Sequence, residues 1–61
     1  MTNMIITNEM YTEFIKNAIE TEGYKVADIA NKMALETKAI TLDQYRAAAQ
    51  LIVEAYKKAN W

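Results

Sequence analysis

The sequence predicts an all-α fold, a three-helix bundle with a long C-terminal helix that assembles as a homo-oligomer. Apolar residues recur at steps of three and four through three segments, which is the spacing of a buried helical stripe. The chain contains no proline and a single glycine. It has 61 residues, of which 52% are apolar, so a lone monomer has little interior in which to bury them. Residues 1–61 are therefore predicted to form one small domain that gains stability by self-association.

The long helix is predicted over residues 41–60. Thr41 is a good N-cap, and Gln44 is placed to complete a capping box. On a helical wheel the apolar arc of this segment covers roughly 200°, which is wider than the edge helix of a small monomer can bury. One part of the arc is predicted to be intramolecular core: Leu42, Tyr45, Ala49 and Ile52.

The other part of the arc is predicted to contact a second subunit. Aromatic residues and arginine are the residue types that most often anchor such contacts. Tyr56 could instead be a core ring whose hydroxyl reaches the rim, Trp61 could fold back over the helix, and Arg46 could be an ordinary surface residue. The candidate interface residues are Leu51, Val53, Ala55, Tyr56, Trp61 and Arg46.

Two shorter helices are predicted at residues 7–22 and 25–37, after an N-terminal arm at residues 1–6. The arm could cover its own core or pair with another chain. Thr7 is the predicted N-cap of the first helix, and Gly23 is predicted to end it as a left-handed residue. The predicted inner face of the first helix is Tyr11, Phe14, Ile15, Ala18 and Ile19. That of the second is Val26, Ile29, Ala30 and Met33, broadened by Ala34 and Leu35.

The composition argues against an enzyme. Cysteine, histidine and serine are all absent, so the commonest general base and the usual nucleophiles are missing. Carboxylate pairs such as Glu9 and Glu13 are predicted to be solvated surface groups, because a chain of this size offers little cleft to shift their pKa values. We therefore predict no catalytic residue, no cofactor and no metal site.

The charge balance argues against nucleic acid as a partner. Seven basic residues stand against eight acidic ones, and the net charge is −1. Residues 1–7 lack the pattern of a signal peptide, and no apolar run approaches the length of a membrane span. The sequence thus predicts a cytoplasmic protein without a membrane association.

A segment of the second helix resembles a DNA-binding helix-turn-helix. The apolar positions of that motif are matched by residues between Ile29 and Ile40. Ala34 replaces the turn glycine of the motif, and Asp43 falls where a late core residue is expected. The segment that would read DNA, residues 37–44, has one lysine and one aspartate, whereas phosphate contacts supply most of the affinity of such domains. The resemblance implies a DNA-binding regulator as an alternative function.

The start of the long helix resembles small bacteriophage and prophage proteins of Gram-positive bacteria. Ile40, Thr41, Gln44 and Tyr45 form an Ile-Thr-x-x-Gln-Tyr start before an alanine-rich helix, which is similar to tail-cassette proteins of the XkdX type. The likeness implies a phage origin and, as an alternative role, a tail accessory protein. The function predicted first is non-catalytic: binding of a protein partner, or of a small ligand held between subunits, for example as an inhibitor of a host system.

Overall fold

The computed structural model describes residues 6–60, which form three α-helices packed against one another. Helix α1 is Asn8–Glu22, α2 is Tyr24–Glu36 and α3 is Leu42–Asn60. The predicted all-α fold and three-helix bundle are confirmed. Most of the predicted N-terminal arm, residues 1–5, and Trp61 lie outside the described residues.

The starts of α1 and α3 are capped by threonine. The backbone N–H of Met10 donates to Thr7 Oγ1 over 3.1 Å. At α3, Gln44 N–H donates to Thr41 Oγ1 over 3.2 Å, and Thr41 N–H donates to Gln44 Oε1 over 2.8 Å. These reciprocal bonds are the predicted capping box, and they satisfy donors that the first helical turn leaves without partners.

Gly23 joins α1 directly to α2. Its N–H donates to the carbonyls of Ala18 and Ile19 over 3.1 and 3.0 Å. Its backbone angles are φ 96° and ψ 164°. The positive φ agrees with the prediction, but the ψ does not belong to the left-handed helical region; this extended conformation is essentially restricted to glycine. The chain can therefore reverse between two helices with a single intervening residue.

The end of α2 holds a lysine in a conformation that favours glycine. Lys38 has φ 63°. Its N–H donates to Leu35 O over 3.0 Å, and Ala39 N–H donates to Ala34 O over 2.9 Å, the bond pair of a Schellman motif. In this motif the left-handed position is usually glycine, because a Cβ is strained there.

We expect Lys38→Gly to stabilise the protein by about 0.5–1 kcal/mol, since it removes this strain but loosens the unfolded chain. The control is Lys38→Ala, which removes the charge and keeps the Cβ, and should leave stability nearly unchanged. Urea unfolding followed by circular dichroism measures both. Equal effects of glycine and alanine would show that charge, and not backbone strain, governs this position.

The core lies where the three helices meet. Ile15 and Ala27 are fully buried at its centre. Ile6 and Tyr45 are partly buried and pack against it. The buried apolar residues are Tyr11, Ile15, Ala27, Ile40, Ala48 and Ile52.

The predicted inner face of α2 is wrong for Val26, Ile29 and Met33, whereas Ala34 and Leu35 pack against the core as predicted. Val26, Ile29 and Met33 are 44%, 58% and 59% exposed. The buried residues of this helix are Ala27 and Asn31. The small Ala27 lets α2 approach its neighbours closely, and Asn31 finds hydrogen-bond partners in the interior. Helix α2 is therefore turned so that Val26, Ile29 and Met33 face outward.

The inner face of α3 is also rotated from the predicted one. Leu42, predicted to be core, is 51% exposed, and Ala49 is half-buried. The buried residues are Gln44, Ala48 and Ile52. The capping box holds Gln44 at the inner side of the helix, so the buried stripe begins at that residue and continues through Ala48 and Ile52. Leu42 lies on a different side of the helix and faces solvent.

Candidate binding surfaces

Asn31 links all three helices through hydrogen bonds in the core. Its side chain is fully buried. The Tyr11 hydroxyl donates to Asn31 Oδ1 over 2.5 Å, and Asn31 Nδ2 donates to the backbone carbonyl of Tyr45 over 3.1 Å. Because buried polar groups are costly when unpaired, this arrangement fixes one alignment of α1, α2 and α3. Sequence reasoning missed this role of Asn31.

Gln44 makes a second internal link. Beyond its capping bond, its Nε2 donates to the carbonyl of Ile6 over 2.9 Å. One amide thus closes the first turn of α3 and holds the segment that leads into α1. Among residues 6–60, no buried side-chain nitrogen or oxygen lacks a hydrogen-bond partner. The polar groups of the interior therefore serve the fold and leave no free group aimed at a ligand.

Burial raises the pKa of the Tyr11 phenol above its ordinary value of 10.0. In the unfolded chain this phenol loses its proton near that ordinary value, whereas the folded protein keeps the proton to higher pH. Above about pH 10 the folded state therefore binds more protons, and stability falls as the pH rises through the folded pKa.

We expect the wild type to lose more stability between about pH 9 and pH 11 than Tyr11→Phe does. At neutral pH the variant should be less stable by about 1–3 kcal/mol, because Asn31 Oδ1 loses its donor inside the core. Urea unfolding at several pH values measures both effects. Parallel stability profiles for the two proteins would mean that the phenol does not titrate differently on folding.

An apolar surface, here called the α2 face, runs along the solvent side of α1 and α2. Val26, Ala30 and Met33 fall on one side of α2 at helical spacing. Phe14 of α1 lines a groove of about 490 Å³ with Val26 and Ala30. Phe14 is 54% exposed although its ring stacks on Tyr11 at a centroid distance of 6.0 Å. The α2 face consists of Met10, Phe14, Val26, Ala30 and Met33, with Ile29 at its edge.

A second apolar surface is the groove between α2 and α3, here called the α2–α3 groove. Its volume is about 510 Å³. Tyr24 and Tyr56 meet at one end, edge to face, with ring centroids 5.4 Å apart. Lys25 and Asp28 supply the charged groups of its lining. The lining residues are Tyr24, Lys25, Asp28, Ile29, Ile52, Val53 and Tyr56.

The predicted interface residues are divided among different surfaces. Val53 and Tyr56 are both half-exposed and line the α2–α3 groove together. Leu51 and Ala55 are half-buried along the junction of α1 and α3, so both contribute to the chain's own packing. Arg46 is exposed on α3. The structure thus joins Val53 and Tyr56 into one surface and separates them from Leu51, Ala55 and Arg46. The sixth candidate, Trp61, lies outside the described residues.

The segment that resembles a helix-turn-helix has a different local geometry from that motif. Helix α2 continues through Ala34, where the motif places its turn, and ends at Glu36. Residues 37–41 form the connection to α3, so much of the would-be recognition segment is not helical.

Two kinds of feature, a metal site and a membrane span, are absent from residues 6–60. No group of acidic side chains there is arranged to hold a metal ion. None of the helices in this part of the chain combines the length and apolar character that crossing a bilayer requires.

The chain matches no family model, and no curated protein or solved structure is significantly similar to it.

Proposed function

We propose that this chain is a small non-catalytic binding protein of bacteriophage or bacterial origin that acts through protein–protein contacts as a homo-oligomer. An inhibitor of a host system is an example of such a role. The observation that supports the proposal most directly is the α2–α3 groove, where two tyrosines and exposed aliphatic side chains surround an open depression. Apolar pockets with aromatic rims are typical of sites that anchor a side chain of a protein partner.

A protein partner fits the groove better than a free small molecule does. The groove is open to solvent, and the charged groups in its lining are Lys25 and Asp28. Small-molecule sites usually enclose most of the ligand and fix it with several convergent polar groups. Here Asp28 is engaged by Lys32 over 3.1 Å. Apart from Lys25 and the tyrosine hydroxyls, the rest of the lining is apolar, and it suits a leucine or an aromatic residue projecting from another protein.

DNA binding has less support. The net charge is −1, and the segment required to enter the major groove contains the connection at residues 37–41. A DNA-binding protein should shift duplex DNA at low salt and release it steeply as salt rises. The groove proposal predicts no such shift.

The test is capture of proteins from a bacterial host lysate on immobilised wild type and two variants. Val53→Asp puts a charge into the groove at a half-exposed position. Ala47→Asp makes a similar change at an exposed position of α3 outside the groove lining. We expect a protein that is retained by wild type and Ala47→Asp and lost with Val53→Asp. Retention by all three proteins, or a salt-sensitive shift of duplex DNA, would contradict the proposal.

A further inference from the structure

The ends of α2 carry charges that oppose its own dipole. Lys25 lies in the first turn and Glu36 is the last residue, and this helix has no acidic residue in its first turn and no basic residue in its last. A helix is stabilised by the reverse arrangement, with negative charge at the start and positive charge at the end. In contrast, α3 has Asp43 in its first turn and Lys57 and Lys58 in its last. The charges of α2 are therefore not explained by the stability of the isolated helix.

The α2 face lies toward the upper end of the apolar patches that monomeric proteins expose, and patches of that size are often functional. Its large side chains are roughly half-exposed or more, and together they present on the order of 500 Å² of apolar surface. A stable dimer buries about 800 Å² on each partner. The α2 face and the charged residues beside it supply an area of that order.

When two copies of α2 lie side by side in opposite directions, the charges along their exposed sides are complementary. Lys25, Asp28, Lys32 and Glu36 alternate in sign along the helix. If two copies of α2 pack antiparallel about a two-fold axis beside Ala30, Lys25 lies opposite Glu36 of the second copy. The Asp28–Lys32 ion pair of each copy then lies beside that of the second copy in reversed order, so Asp28 is also opposite Lys32 of the second copy. A parallel pair would place like charges opposite each other, so charge selects the antiparallel arrangement.

The same arrangement accounts for the charges at the helix ends. In an antiparallel pair the start of one α2 lies beside the end of the other, so their dipoles attract. Lys25, at the start of its own helix, then meets the negative end of the neighbouring helix and Glu36 there. Charges that interact unfavourably with the dipole of their own helix thus interact favourably with the dipole of α2 in the second copy.

The apolar residues fit this pairing. Ala30 is small and lies at the axis, which allows close approach of the two helices. Ile29 and Met33 flank it, and Phe14 and Met10 extend the contact on the side of α1. We propose that the α2 face binds a second copy of this chain, with the two α2 helices antiparallel. The inference rests on the proposed homo-oligomer and names its contact surface, which lies on α2 and not on the long helix.

The test is a charge swap measured by light scattering on a sizing column at several protein concentrations. Lys25→Glu faces Glu36 of the second copy, and Glu36→Lys faces Lys25 of the second copy. Each contact occurs twice by symmetry, so each single variant should dimerise about tenfold more weakly than wild type. The double variant Lys25→Glu, Glu36→Lys restores opposite charges and should recover dimerisation. Both substitutions suit the dipole of α2, so loss of the dimer cannot be attributed to loss of the helix.

A second pair of variants tests the apolar part of the contact. Met33→Glu should abolish the dimer, whereas Ala47→Glu, at an exposed position of α3, should leave it intact. A monomeric wild type at every concentration, or a double charge variant weaker than both singles, would overturn the inference. So would a dimer insensitive to Met33→Glu. A monomer that still captures a partner through the α2–α3 groove would overturn the dimer alone, and a dimer that captures none would overturn the binding function alone.

Discussion

Replacing Asn31 with aspartate should destabilise the protein by about 3–5 kcal/mol at neutral pH, because it places a charge in the core without a compensating partner. Asn31 is fully buried. The Tyr11 hydroxyl can still donate to a carboxylate, but the donor that faces the Tyr45 carbonyl over 3.1 Å is lost. Two oxygen atoms then face each other in a low dielectric. The total stability of a domain of this size is roughly 3–9 kcal/mol, so the variant should be close to unfolded.

The control for this prediction is Asn17→Asp, the same chemical change at an exposed position of α1. A surface substitution of this kind should alter stability by no more than about 0.5 kcal/mol. Protonation removes the buried charge of Asn31→Asp, so its deficit should shrink as the pH falls toward about 4. Urea unfolding at neutral and acidic pH measures both proteins. If the two aspartate variants are equally stable, the Asn31 network does not hold the helices together.

The local signals in the sequence were sufficient to place the helices. Threonine caps, the Thr41–Gln44 capping box and Gly23 depend on residues a few positions apart. Their hydrogen bonds form within the same turn, whatever the rest of the chain does. This is why the predicted ends of α1, α2 and α3 lie within one residue of the observed ends.

The orientation of α2 could not be predicted in the same way. Its residues offer two candidate inner faces, one with Val26, Ile29 and Met33 and one with Ala27 and Asn31. Hydrophobicity favours the first, whereas the structure buries the second. The deciding contacts come from Tyr11 and Tyr45, on the other two helices. A rule that ranks residues by apolar character cannot anticipate an asparagine that becomes fully paired only in the assembled fold.

The candidate surfaces follow from this rotation. Val53 and Tyr56 were predicted as interface residues on α3, but the groove they line needs Tyr24 and Ile29 from α2. The exposure of Ile29 follows from the orientation of α2, which the sequence did not reveal. The charges of α2 are present in the sequence, but only the structure shows that they lie beside an exposed apolar stripe.

Two truncations at neighbouring positions of α1 should affect different properties. Ile15→Ala should mainly lower the stability of the folded chain, and Phe14→Ala should mainly weaken association. Ile15 is fully buried at the centre of the core, so its truncation should cost about 2–5 kcal/mol through lost burial and a residual cavity. Phe14 has the larger side chain, but it is 54% exposed on the α2 face. Its truncation should cost the monomer roughly 1 kcal/mol or less, since half of its surface is already in water.

The proposed dimer makes the second effect depend on concentration. When two copies pack through the α2 face, Phe14 loses its contact with water, so Phe14→Ala should weaken dimerisation while Ile15→Ala lowers the stability of each chain. Thermal unfolding at low and high protein concentration separates the two, because a dimer melts at a higher temperature as concentration rises. We expect that rise in the wild type and a smaller one in Phe14→Ala. A melting temperature independent of concentration in the wild type would place Phe14 on a monomer's surface, and an equal loss of stability in both variants would place it in the core.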